Sequence, residues 1–246
     1  MILITMAGMS SRFTRAGYSL PKFMLPLGSV TVFDHAIGSF KRYFESEAFV
    51  FVVQSDKDVV AFVAAHAKEL GIRDFEIFEL EHPTRGQAET AAIALRGRAD
   101  APVTVFNIDT FRPDFRFPDW IDDYDGYLEV FSADGENWSF VEPSEDHLVA
   151  RTTEKERISD LCSNGLYHFR RASDLIKAFD DAVASNATAK GEFYIAPLYN
   201  DLIQNSARIR YVEVSADEVI LCGVPAEYEA LLSSYGPSST SEPAEP

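Results

Sequence analysis

Short apolar-rich blocks recur along the chain and alternate with longer stretches in which apolar positions return every three or four residues. "MILITM" (Met1–Met6), "AFVFVV" (Ala48–Val53), "FEIFEL" (Phe75–Leu80) and "PVTVFNID" (Pro102–Asp109) are of the first kind. Their lengths and flanking turn residues predict buried strands. Between them, Val32 to Phe44 puts Val32, Ala36 and Phe40 on one helical face, Val59 to Leu70 follows Asp56 as an N-cap, and "QAETAAIALRG" keeps the helical rhythm. This alternation predicts an α/β fold, a mostly parallel sheet flanked by helices and joined by right-handed crossovers. In such sheets ligands gather beyond the carboxyl ends of the strands. The turn after Met6 and Asp109 both fall at that edge.

Beyond Asp109 the rhythm loosens. Strands are predicted at Gly126–Phe131, around Ser139–Glu142, and at Gly165–Phe169, Ile209–Val214 and Glu218–Cys222, with helices at Ala172–Ala184, Phe193–Gln204 and Ala226–Tyr235. No Gly-, Ser- or Pro-rich linker separates the halves, which predicts a single domain over 1–235, halved at about 120, with the second half an inserted lobe. "GPSSTSEPAEP" (236–246) is poor in apolar residues and predicts a disordered tail.

Composition narrows the partners. With 22 basic against 39 acidic residues the net charge is -17, which opposes non-specific binding to nucleic acid or to an anionic membrane. No apolar run is long enough to span a bilayer and no secretory leader pattern precedes the first strand, so a cytoplasmic protein is expected. Cys162 and Cys222 fit no metal-ligand spacing and read as small core residues, and the five histidines show no metal-binding pairing. Assembly into a homo-oligomer is left open.

An acidic chain that binds a polyphosphate has to gather its few cations locally. That gives weight to the stretch after the first strand, "MAGMSSRFTRAGYSLPKFMLPL". Ala7, Gly8, Ser10 and Ser11 let the backbone come close to an anion, Arg12 offers a bidentate clamp, and Lys22, set by Pro21, adds a mobile charge. The absence of a full G-x-G-x-x-G and the presence of Gln54 rather than an acid near the second strand's end argue against a dinucleotide oxidoreductase.

The spacing of "AGMSSRF" and "LPKFMLPL" resembles the signature of the sugar-phosphate nucleotidyltransferases, the nucleoside-diphosphate-sugar pyrophosphorylases, with Ser10 where that signature has its second glycine. "TRGQAETAAIA", "VFNIDTF", "VARTTEKERISDLCSNGLYHF" and "KGEFYIAPLYNDLI" resemble its later segments in the same order, so the likeness runs from Met1 to about Tyr235. The resemblance implies a Rossmann-like fold, a nucleoside triphosphate and a phosphorylated acceptor such as a sugar 1-phosphate as partners, Mg²⁺ as cofactor, release of pyrophosphate, and a place in surface-polysaccharide precursor synthesis. It implies Arg12 and Lys22 as catalytic, Ala7, Gly8, Ser10, Ser11, Gly86 and Gln87 as nucleotide-binding, Glu154, Lys155, Gly165 and Glu192 as acceptor-binding, and Asp109 as the metal carboxylate. Read without it, Gln87 and Glu192 equally suit the first turns of helices, and Glu154 beside Lys155 equally suits a solvated ion pair.

One departure is larger. The turn "LCGVP" puts Leu221 where the family carries a second metal aspartate. Either Asp109 shares the metal mainly with phosphate oxygens and water, or Asp217 or Glu218 moves in; a third reading keeps the fold as a non-catalytic binding module.

Overall fold

The parallel strands read from the sequence lie side by side at the centre of a nine-stranded sheet. In the computed structural model, which describes Met1–Gly236, they are β1 (Ile2–Thr5), β2 (Ala48–Gln54), β3 (Asp74–Leu80) and β4 (Val103–Asn107). β1 pairs in parallel with both β2 and β4, and β3 extends the sheet beyond β2. Alternate residues of these strands enter different cores: Leu3, Val50, Val52 and Val105 one, Ile2, Ile4, Phe49, Phe51 and Phe106 the other. Such a strand buries both faces, which is why its sequence reads as an unbroken apolar run.

Helices cover both faces. After α1 (Ser11–Arg15), α2 (Val32–Gly38) and α3 (Lys57–Glu69) seal the phenylalanine-rich core, and Asp56 caps α3 by accepting from the amides of Asp58 and Val59. α4 (Gln87–Leu95) and α5 (Ala172–Ala184) cover the other core with alanines that allow close approach to the strands. The helix expected to reach Phe44 ends at Gly38 and continues as a short 3₁₀ turn over Lys41–Tyr43. That break lets Phe40 pack edge-on against Phe106 and Phe115.

The rest of the sheet is mostly antiparallel. β5 (Gly126–Ser132), β6 (Ser139–Pro143), β7 (Val149–Glu154), β8 (Leu161–Phe169) and β9 (Ile209–Glu213) complete it in the order β7-β6-β8-β4-β1-β2-β3, with β5 pairing β8 and β9. β8 joins the parallel block by running antiparallel to β4. β7 carries no strand expectation above, because Arg151 and Glu154 interrupt its apolar pattern.

Two further expectations change. Phe193–Gln204 is helical only from Ala196, as a 3₁₀ turn and then α6 (Tyr199–Gln204). Phe193 is unavailable to a helix, because its N–H donates to the Arg85 carbonyl at 2.8 Å and its carbonyl accepts from Ala88 N–H at 3.0 Å. The strand expected over Glu218–Cys222 shortens to Ile220–Leu221, paired with Thr110–Phe111, and leads into α7 (Pro225–Tyr235). Within the predicted tail, 237–246 lie outside the described residues.

Candidate active site

β1 and β4 end in register, Thr5 beside Asn107, and the loops that follow them open a cleft at the carboxyl edge of the parallel strands. The cleft has two compartments. One, of about 430 Å³, is lined by the turn Ala7–Ser10 and by Lys22, Gly86, Gln87 and Glu192. The other, of about 630 Å³, is lined by Arg12, Trp138, Ser139, Glu154, Lys155 and Gly165. Gln87, Asn107, Asp109 and Tyr194 line both and form the seam between them.

The first compartment opens on a turn of small residues, Ala7–Ser10. Ser10 caps α1 in the left-handed region, φ 48°, a conformation that glycine adopts freely and serine adopts at a cost of about 1 kcal/mol. Its Oγ accepts from Lys22 N–H at 3.4 Å, which ties the turn to the Pro-Lys segment. The Lys22 ammonium pairs with the Asp109 carboxylate, with both side chains partly open to the cleft.

Gln87 holds the seam from below. Its amide nitrogen donates to Thr5 Oγ1 at 2.9 Å and to Asn107 Oδ1, bracing the ends of β1 and β4. That donor is therefore spent on the fold, and the side-chain oxygen is what remains to meet a ligand. Gly86, at φ 134°, permits a close approach, but of protein backbone: a Cβ there would stand 2.8 Å from Phe193 N. Gly165, at φ 92°, plays the same part for Asn107, whose Cγ would lie 2.6 Å from an added Cβ. Neither gap was legible from spacing, since the partners are distant in sequence.

The second compartment is built from side chains. Glu154, with a side chain only 5% exposed, accepts from Ser139 Oγ and stands 3.8 Å from Lys155 Nζ. Burial pushes its carboxyl above the ordinary range, against the opposing pull of Ser139 and Lys155. Tyr167, held up to about 12 by burial, reaches Ser139 Oγ at 3.4 Å. Beneath the floor lies a closed polar network: buried Arg112 donates to Glu129 Oε2 at 2.7 Å, and Asn164 donates to the same oxygen at 2.8 Å.

Among the sequence-derived residues, Lys22, Asp109, Gly86 and Gln87 meet at the first compartment with Ala7, Gly8 and Ser10. Arg12 lies apart from Lys22, lining the second compartment, whereas Glu192 lines the first; Ser11 starts α1 and lines neither. Of the alternatives, Glu192 precedes the helical region instead of opening it, and the Glu154 side chain is buried, which selects against a solvated Glu154–Lys155 pair. Tyr194 and Trp138 were missed, and only their aromatic character in polar segments could have drawn attention to them.

The turn "LCGVP" is pinned beside Asp109, whose carbonyl accepts from Cys222 N–H at 2.8 Å. Leu221 lines the second compartment. Neither alternative carboxylate moves in: Asp217 lies exposed in a 3₁₀ turn, and Glu218 faces Arg112 at 3.6 Å while accepting from Ser215 N–H. Instead Glu227 approaches, accepting from the amides of Gly223 (2.7 Å) and Val224 (3.1 Å). A Cβ on Gly223 would lie 3.1 Å from Asp109 Oδ2 and 3.6 Å from Glu227 Oε2, so the glycine leaves room for both carboxylates. Burial and then Asp109 push the Cys222 thiol up to about 12, so it stays neutral.

Among the described residues no group of three or more His, Cys, Asp or Glu could cage a metal ion. Asp109, open to the cleft, suits an ion that brings phosphate oxygens with it, as Mg²⁺ does with one or two carboxylates. No family model and no curated protein matches the sequence. Among solved structures, a nucleoside-diphosphate-sugar pyrophosphorylase from Vibrio cholerae RC9 is 49% identical, with 95% of this chain and 100% of that chain covered at a TM-score of 0.91.

The chain belongs to the sugar nucleotidyltransferase family. Membership makes it a nucleotidyltransferase, with the cleft at the place where such sheets take their ligands. More distant members share the fold. A UDP-glucose pyrophosphorylase complexed with UDP-glucose is 14% identical (TM-score 0.75; 95% of this chain, 97% of that), and the inositol-1-phosphate CTP transferase from T. maritima is also 14% identical (TM-score 0.70; 95% of each chain). No helix among the described residues is long and apolar enough to cross a membrane.

Proposed function

We propose that this nucleotidyltransferase joins the nucleoside monophosphate part of an NTP to a phosphorylated small molecule, a sugar 1-phosphate in the simplest case, and releases pyrophosphate. The observation that carries the reading is the division of one cleft into a compartment that opens on the small-residue turn Ala7–Ser10 and a compartment lined by Arg12, Glu154 and Lys155, the two sharing Asp109 and Gln87. A triphosphate in the first and a phosphorylated acceptor in the second bring their reacting phosphates together at the seam. The acceptor oxygen is already anionic and needs no general base; catalysis is positioning and charge neutralisation.

In this reading Lys22 leaves Asp109 to neutralise the triphosphate, and Arg12 and Lys155 meet charge from the acceptor side. Glu154, buried and fixed by Ser139, is placed to accept from an acceptor hydroxyl. Asp109 would hold Mg²⁺, which when bound supplies charge neutralisation on the phosphates. The product is an activated building block of the kind consumed in surface-polysaccharide assembly, made in the cytoplasm, where NTPs are available.

The test is pyrophosphate release from each NTP with a panel of sugar phosphates, phosphocholine and other phosphorylated alcohols, with and without Mg²⁺. Asp109→Ala is expected to lower turnover by about 10²-fold or more with the thermal midpoint retained. Near-normal release from that variant, or silence of the wild type across the panel, would overturn the reading.

A further inference from the structure

Tyr194 lines both compartments at the seam and, although it lies within "KGEFYIAPLYNDLI", carries no role in the sequence reading. Its hydroxyl donates to Glu192 Oε2 at 2.6 Å and accepts from Lys155 Nζ, whose ammonium also lies 4.4 Å from the centre of the Tyr194 ring. Burial, and then the bond to Glu192, hold the phenol above its ordinary range, so the hydroxyl keeps its proton and the direction of donation is settled. Lys155 itself occupies the left-handed region, φ 56°, a strained position for a lysine that its N–H bond to the Trp138 carbonyl at 2.8 Å helps to hold.

Two partners compete for that ammonium. Glu154 stands 3.8 Å away, beyond hydrogen-bond reach, and is a carboxylate. Pairing with it would cancel the lysine's charge and draw it into a buried corner. Tyr194 is neutral; it fixes the ammonium while leaving its charge and its remaining donors for an anion. The tyrosine is in turn fixed from the nucleotide side, because Phe193 is laced to Arg85 and Ala88 across Gly86.

We propose that Tyr194 is a positioning residue, holding Lys155 at the seam so that the acceptor's phosphate meets an ordered and uncancelled cation. This rests on the reading of the second compartment as the acceptor site, and goes beyond it in assigning what keeps Lys155 in place. Lysine labelled at Cε and Nζ, with the Lys155 resonance assigned by its loss in Lys155→Arg, allows the site to be followed by NMR as inorganic phosphate is added.

In the wild type the Lys155 resonance is expected to move saturably with phosphate. In Tyr194→Phe it should start from a different position, and half-saturation should need about tenfold more phosphate, the order expected for one lost hydrogen bond to a charged group. Glu192→Gln, which weakens the acceptor of the Tyr194 proton, should shift both in the same direction by less. An unchanged half-saturation in Tyr194→Phe at an unchanged thermal midpoint overturns the proposal, as does a Lys155 resonance indifferent to phosphate in the wild type. If Tyr194→Phe fails to fold, an unmoved titration in Glu192→Gln overturns it instead. Because the titration needs no turnover, failure of the pyrophosphate assay and failure of this proposal are separate results.

Discussion

The two compartments meet at one seam but are made by different physics. The compartment proposed for the nucleotide opens on a turn of small residues, with a serine in a glycine-like conformation and a loop closed by Gly86 onto Phe193. The compartment proposed for the acceptor is lined by charged and aromatic side chains that rest on a buried ion pair and a buried carboxylate. Under the proposed function, the small-residue turn meets what all triphosphates share. The polar side chains of the other compartment can be changed residue by residue to suit a different acceptor.

The largest expected effect tests the support of the acceptor wall. Arg112 and Glu129, 6% and 3% exposed, are fully desolvated, so Arg112→Met leaves Glu129 without its ion partner. Such a break costs about 3–5 kcal/mol. Adding Glu129→Gln should restore part of this, since the amide is uncharged and its oxygen still accepts from Asn164. Urea unfolding of the single and double variants checks both statements. Equal stability of single variant and wild type would remove the contrast between the compartments.

Next comes the joint between them. Gly86→Ala puts a Cβ into the Phe193 backbone at a φ that L-residues avoid, with an expected loss of about 3 kcal/mol. KM for NTP and for acceptor should rise together, because the Glu192 and Tyr194 segment hangs from that contact. A rise in KM for the NTP alone would show that the compartments are more independent than the strap suggests.

Acid provides a probe at the other end of β4, where β8 joins the parallel block. His168 on β8, facing Thr104 of β4 at 2.9 Å, is lowered to about 3 by burial and then by the chain's amino terminus. In the unfolded chain it protonates near pH 6.5, so its contribution to stability is intact above that pH and is lost as pH falls toward 3. The slope is about 1 kcal/mol per pH unit across that window. His168→Gln should flatten this part of the pH–stability curve measured by urea unfolding; an unchanged slope assigns the acid sensitivity elsewhere.

The smallest effect tests the cradle. Ser10→Gly relieves the left-handed strain but loosens the unfolded chain, and a net change within about 0.5 kcal/mol is expected. Ser10→Val, β-branched in the same conformation, should cost about 1–2 kcal/mol. Thermal unfolding separates the two. Equal midpoints would mean that the turn is not held in the left-handed region.

Much of the nucleotide side was legible in advance, because each of its strands is a local apolar run and each helix a local repeat. The acceptor side was less so. β7 escaped because it alternates with charges, and the helix expected to begin at Phe193 fails because that backbone bonds to residues more than a hundred positions earlier. The second-carboxylate question was not one of distance along the chain: Asp217, Glu218 and Glu227 all lie within a few residues of "LCGVP", and it is Glu227, in the first turn of α7, whose carboxylate reaches it.

By itself, then, the sequence determined the alternation of strand and helix, the small-residue turn with its Pro-Lys partner, and an order of segments that resembles the sugar-phosphate nucleotidyltransferases. Neighbouring residues are enough to encode these, since periodicity and turn chemistry act over a few positions. Only the tertiary structure decided that Gly86 makes room for Phe193, that Gly223 makes room for Asp109 and Glu227, and that Tyr194 stands between Glu192 and Lys155. Those arrangements depend on where a long chain returns to itself, and no local pattern records that.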